Sequence, residues 1–112
     1  MSPEKRISSF IRKHHVLTLA TSSEGIPWCA HCFYAYMEEK KWLVFTSGNQ
    51  TKHATDAVKY PEVAGGIVLE TRFVGKVRGI QLRGTMRRPG PEEENSVKLT
   101  YLKRFPYAAF MN

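Results

Sequence analysis

Hydrophobic and polar positions divide this chain into alternating helical and extended stretches. Ile7, Phe10, Ile11 and His14 recur at helical spacing behind Ser2-Pro3, a capping residue and a first-turn residue, and predict an amphipathic helix over about 3 to 14. Val16 to Ser22 (VLTLATS) is β-rich and mostly apolar. Glu24-Gly25-Ile26-Pro27 then turns the chain into Trp28 to Glu38, dense in aromatics, so the two stretches predict an antiparallel hairpin. A polar turn at Glu38 to Lys41, a third strand at Trp42 to Ser47 and a short helix at Gln50 to Tyr60, stopped by Pro61, come next.

Val63 to Glu70 predicts a fourth strand, with Gly65-Gly66 marking a bulge or a close backbone approach, and Val77 to Arg88 a long fifth. In that strand the alternation is clear: Ile80, Leu82 and Met86 share one face, Gln81, Arg83, Thr85 and Arg87 the other. Pro89-Gly90-Pro91 closes the extended region. Glu92 to Arg104 returns to helical spacing through Val97, Leu99, Tyr101 and Leu102, acids first and bases last as the helix dipole favours. Phe105-Pro106 breaks it, and a short helix from Tyr107 follows. The pattern is mainly β with flanking helices, and consecutive antiparallel strands of this length are best finished as a small barrel, which removes exposed edges.

With 112 residues the chain has room for one core, so residues 1–112 are read as a single domain without repeat, linker or low-complexity tract. Its net charge of +7 favours an anionic partner such as a nucleotide, nucleic acid or phosphorylated metabolite. Arg72, Lys76, Arg78, Arg83, Arg87 and Arg88 fall in a segment with no acid between Glu70 and Glu92, which predicts a local positive field. No apolar run approaches the ~20 residues of a membrane helix, and the start (MSPEKRISSF) lacks the apolar core of a signal peptide, so the expectation is a cytoplasmic protein without membrane contact.

Candidate chemistry concentrates where the third strand runs into the second helix, WLVFTSGNQTKHATDA. Thr46 and Ser47 offer hydroxyl donors, Gly48 lets the backbone turn freely, and a helix starting near Gln50 points unpaired N–H groups and its positive dipole end at an anion. Lys52, in the first turn, adds a full charge. This is a setting for a phosphate, although the spacing alone also fits an ordinary strand-to-helix connection with a solvated lysine.

Trp28-Cys29-Ala30-His31-Cys32 invites comparison with the redox pair of thioredoxin-like isomerases. A redox pair needs its first thiol at a helix N-terminus, whereas Phe33-Tyr34-Ala35-Tyr36 continues a strand, in which positions three apart point to opposite faces. The expectation is two reduced, packed cysteines. Haem attachment through CxxCH fails because Phe33 follows Cys32, and a zinc site from Cys29, Cys32 and some of His14, His31 or His53 needs distant partners of unsupported spacing. No metal is therefore assigned. His14-His15 read as caps of the first helix, and no nucleophile–base–acid set is recognisable, so no catalytic residue is assigned. A reading from a different class is a small basic barrel binding single-stranded nucleic acid, bases stacking on rings while cations follow the backbone. Phe33, Trp42 and Phe45 sit in runs apolar on both sides, as core residues do, which counts against it.

With the strand order, FTSGNQTKHA and RGIQLRGTMRR in view, the chain resembles the pyridoxamine 5′-phosphate oxidase-like, flavin mononucleotide (FMN)-binding split barrels, and within them the YhbP-like branch. In that family a strand ending in an aromatic and a threonine is followed six residues on by a phosphate-binding lysine, a spacing that Phe45-Thr46 and Lys52 reproduce. Ser47 and Thr51 are further phosphate donors by the same comparison. Branch-like features are WCA at Trp28 to Ala30, TKHA at Thr51 to Ala54, RGIQLRG at Arg78 to Gly84 and KRFP at Lys103 to Pro106. The resemblance implies a small antiparallel Greek-key split barrel, and a homodimer with FMN at the subunit interface, its ring against strands from both chains. It also implies a flavin-dependent oxidoreductase of unassigned substrate. Gln81 is the candidate flavin contact, at a position where the family often has arginine. Thr51 stands where the oxidases have a second basic residue, which lowers the charge available to a phosphate. The family continues past the last helix into a further strand that carries the oxidases' substrate-binding arginine and histidine, so the resemblance does not extend to pyridoxamine-phosphate oxidation.

Overall fold

The computed structural model describes residues 2–46, 52–73, 75 and 78–110, apart from the side chains of 53, 109 and 110. Helix α1, Pro3–Lys13, begins where the pattern placed it: the Ser2 hydroxyl accepts from the Lys5 N–H at 3.2 Å, satisfying one of the free amides of the first turn. Strands β1, Val16–Ser23, and β2, Ile26–Phe33, form the expected hairpin, paired without interruption from Val16–Phe33 to Ser23–Ile26. Its two-residue loop has both central residues at positive φ, Glu24 at 53° and Gly25 at 80°, the geometry whose twist matches that of the flanking strands.

The aromatic stretch expected as one long second strand is two. It leaves the β1–β2 ladder at Tyr34 and resumes as β3, Ala35–Met37, which pairs with β4, Trp42–Val44, in a separate two-stranded sheet. The cause is local. Tyr34 is wholly buried; its N–H donates to the His15 carbonyl at 3.0 Å and its hydroxyl to the Ile11 carbonyl at 2.7 Å, in the last turn of α1. The first bond carries the β1–β2 register one pair further, and the second ties the switch residue to the end of the helix. β4 also ends earlier than expected, at Val44.

Helix α2, Lys52–Lys59, follows, then β5, Glu62–Leu69, and β6, Arg78–Thr85. The order β2–β1–β5–β6 makes a four-stranded antiparallel sheet. β5 and β6 pair continuously from Glu62–Thr85 to Leu69–Arg78, so Gly65-Gly66 is a close approach and not a bulge. Helix α3, Glu94–Arg104, and a 3-10 helix, Pro106–Phe110, complete the described chain.

One face of the large sheet carries the core: Leu17 and Leu19 of β1, Cys32 of β2 and Ile67 of β5 are buried together with Ile11 and Tyr34, and Ile80, Leu82 and Met86 of the last strand region pack against them, as its alternation predicted. A second cluster, Ala35, Met37, Val44 and Tyr101, sits where the small sheet meets α3. The registers therefore leave Thr18, Ala20, Ala64, Gly66, Gln81 and Arg83 on the other, outward face. Among the described residues, no helix is long and apolar enough to cross a membrane.

Candidate functional site

The outward face is unusual for what it lacks. Where β1, β5 and β6 cross, one rung runs Cys29–Ala20–Ala64–Arg83 and the next His31–Thr18–Gly66–Gln81. Two alanine methyls thus occupy the middle of the first rung and a threonine and a glycine that of the second, with longer polar side chains, His31, Gln81 and Arg83, at three of the four ends. The result is a shallow open trough of about 500 Å³ lined by Thr18, Ala20, Ala64, Gly65, Gly66, Gln81, Leu82 and Arg83. A second depression, lined by Ala20, Pro27, Trp28 and Cys29, meets it at Ala20. A flat apolar floor with hydrogen-bonding groups along its margins suits a planar ring bearing polar edges.

Gly66 gives this floor a direct test. A Cβ built there has the Ile80 carbonyl oxygen at 3.8 Å as its nearest contact and otherwise fills trough, so the fold tolerates a side chain that the concavity does not. Between the floor and the β2 margin, the Thr18 hydroxyl and His31 Nδ1 are hydrogen-bonded at 3.1 Å, leaving Nε2 as the second ring nitrogen. Gln81 at the opposite margin carries both an amide donor and a carbonyl acceptor.

Lys52 opens α2, which packs on β1 and β2, at the other side of the sheet from β6. Gln81 lies in β6, at the edge of that sheet, whereas α2 packs chiefly on the inner strand β1 and also on β2. The Lys52 ammonium donates to Asp56 Oδ1 at 2.9 Å, one turn on, and its side chain remains 44 % exposed, while that of Asp56 is 7 % exposed. Thr46 is exposed just beyond β4. Ser47 and Thr51 lie outside the described residues, as does the connection between Thr46 and Lys52.

Cys29 is exposed and Cys32 buried, on opposite faces of β2, so the pair does not close a disulfide within the strand. Burial pushes the Cys32 thiol pKa up, away from a reactive thiolate. The expectation that Cys29 is packed is corrected: its register places it outward, across from Ala20. Phe33, expected in the core, is likewise outward and 56 % exposed, stacked on His15 and edge-on to Phe105. Trp42 and Phe45 do pack against the core clusters and offer no row of rings along basic β6. The strand expected to run to Arg88 ends at Thr85, and beyond it the positive field is trimmed, because Arg87 forms a two-pronged ion pair with Glu93, at 2.9 and 3.2 Å.

Sequence reasoning placed Gln81 on an exposed face but missed Thr18, Ala20, Ala64 and Gly66. Their signal was small residues alternating with large apolar ones in LTLA and VAGG. It could not be used without knowing that β1 pairs with β5, some forty-five residues away, at Thr18–Gly66 and Ala20–Ala64.

A comparison with protein-family models finds no match. Among individual proteins, the chain is 34% identical over 102 residues to a UPF0306 protein of Yersinia pseudotuberculosis, covering 91% of this chain and 69% of that one. A UPF0306 protein of Yersinia pestis gives the same identity and coverage. In three dimensions it is similar to a heme binding protein from Mycobacterium smegmatis (TM-score 0.84, 20% identity), covering 99% of this chain but only 46% of that protein's length. It is also similar to HutZ, the heme storage protein from Vibrio cholerae (TM-score 0.74, 16% identity, 96% of this chain and 78% of that one). These likenesses show the fold, a split barrel.

Proposed function

The chain belongs to the UPF0306 family, and from that premise and its split-barrel fold we propose that it binds flavin mononucleotide between two copies of itself and serves as a flavin-dependent oxidoreductase. The observation that carries the reading is the small-residue trough on the outward sheet face, with Gln81 at its margin. In this reading Lys52 and the hydroxyls of Thr46, Ser47 and Thr51 take the phosphate, and the Gln81 amide meets the polar edge of the ring. Val16, Phe33 and Val68 share the outward face by register and are exposed, an apolar surface that a second copy would cover. In this reading the pairing also brings Gln81 of one copy towards Lys52 of the other.

Bound flavin supplies electron transfer, and the protein's part is orientation and exclusion of water. Ala20, Ala64 and Gly66 allow close approach of the ring; Thr18 and Gln81 fix its direction through hydrogen bonds; Lys52 anchors the tail. A tetrapyrrole is the second reading. It is favoured by His31 and Cys29, two iron-ligating side chains exposed on the same face of β2 beside the trough, and by the two neighbours named for heme.

The visible absorbance of the purified protein, followed by titration with FMN, riboflavin and hemin, tests both. FMN binding tighter than riboflavin supports the flavin reading with a phosphate contact. Saturable hemin binding without flavin binding replaces it with the second. Absence of binding by all three removes the trough as a cofactor site.

A further inference from the structure

The partner already held by Lys52 bears on how a phosphate reaches it. Asp56 is one turn further along α2, almost wholly buried; one carboxylate oxygen accepts from the Lys52 ammonium at 2.9 Å, while Oδ2 has no hydrogen-bond partner among the described residues. The Thr21 hydroxyl of β1, 3 % exposed, is the other buried side-chain oxygen without a partner among the described residues. α2 packs on β1, so an acceptor with spare capacity and an unused donor belong to two elements in contact. Unsatisfied buried polar groups are rare enough to call for a cause.

We propose that Asp56 competes with the cofactor phosphate for the Lys52 ammonium, and that the Thr21 hydroxyl replaces the ammonium on Asp56 when phosphate takes it. The proposal rests on the reading of Lys52 as the phosphate ligand. A buried carboxylate is little screened by solvent, so it holds the ammonium and repels an incoming dianion. The site then presents a compensated charge instead of a bare one. Free inorganic anions gain little there, and binding requires the additional contacts of the ring in the trough. Thr21, by donating to the carboxylate, lowers the cost of releasing the ammonium.

The experiment is the ratio of dissociation constants for riboflavin and FMN, which isolates the phosphate contribution, measured by flavin fluorescence at low ionic strength for the wild-type chain, Asp56→Asn and Thr21→Val. Asp56→Asn keeps an acceptor of the same shape and removes the charge, and its ratio is expected to rise about fivefold or more. In Thr21→Val the ratio is expected to fall. A merely structural role would shift the melting temperature and move the ratio in neither direction. An unmoved or lowered ratio in Asp56→Asn overturns the competition; if that variant does not fold, an unmoved or raised ratio in Thr21→Val does so. A wild-type chain that binds both flavins equally removes the Lys52 reading, and this proposal with it, whereas a wild-type preference for FMN with unmoved variants overturns the competition and the hand-over and leaves the Lys52 reading standing.

Discussion

Gly65 and Leu17 approach so closely within the sheet that a Cβ on the glycine would lie 2.8 Å from Leu17 Cδ1. The same atom would meet Leu82 Cδ1 at 3.2 Å and the Thr18 carbonyl oxygen at 3.3 Å. Leu17 is 2 % exposed, so its Cδ1, the end of a flexible side chain, can give way only into a filled core. Gly65→Ala is therefore expected to destabilise the fold by about 1–3 kcal/mol, the cost of overpacking a filled core. Urea unfolding measures it, and an unchanged midpoint would show that the core side of β5 is looser than these distances state.

The adjacent glycine faces the other way and predicts the opposite. A side chain on Gly66 projects into the trough, so Gly66→Val should leave stability within about 0.5 kcal/mol of wild type, as for a substitution that disturbs no packing. Ring binding should fall at least about tenfold, which corresponds to 1.4 kcal/mol. Titration with riboflavin is the clean readout because it has no phosphate. Full affinity in this variant would move the ring off the outward face.

Lys52→Ala should weaken FMN by about 1.5–3 kcal/mol, the range for a hydrogen bond to a charged group, and leave riboflavin unchanged. Calorimetric titration with the two ligands separates the effects. Equal losses for both would mean that the substitution acts by disturbing α2 and not through the phosphate.

How far the sequence discloses this depends on whether a feature is local. The Ser2 cap, the Glu24-Gly25 turn and the alternation around Gln81 are short-range, and each appears as read. Lys52 and Asp56 are also local, four apart on one helix face, but the pairing gains meaning only from the burial of Asp56 against β1. The break at Tyr34 escaped because nothing in HCFYAYM punctuates the strand; the residues bonded to it there, Ile11, His15 and Arg104, come from two other parts of the chain, the end of α1 and the end of α3. The trough escaped for the same reason, since its floor exists only in the register of β1, β5 and β6. Long-range pairing, not side-chain chemistry, was the missing information.

The Arg87–Glu93 pair predicts a pH dependence. The two Arg87 hydrogen bonds first, and then the Gly90 N–H, hold the Glu93 pKa down to about 2 from its ordinary 4.5. A carboxyl depressed in the folded state contributes stability above its unfolded pKa and loses it as pH falls through the folded one. The advantage of wild type over Glu93→Gln should therefore be constant above about pH 4.5 and shrink towards zero near pH 2. Melting temperatures of the two proteins across that range test it. A difference that is flat down to pH 2 would mean that the pair, which is exposed, is broken in solution.

Arg104, in the KRFP stretch that marks the sequence, explains why arginine stands there. One of its terminal nitrogens donates to the Tyr34 carbonyl at 3.2 Å and the other to the His14 carbonyl, and its guanidinium lies over the Tyr34 and Phe105 rings at 5.4 and 5.5 Å. The side chain thus joins α3 to the end of α1 and to the residue at which the strand changes sheets. A lysine carries the charge but not the fork, so it can serve one carbonyl and leaves the other without its donor. Arg104→Lys should cost about 1–2 kcal/mol and Arg104→Ala about 2–4 kcal/mol, the second losing both bonds and the ring contact. Chemical denaturation ranks the two. If lysine were as good as arginine, the charge alone would be holding α3 in place, and the two-carbonyl geometry would be incidental to the fold.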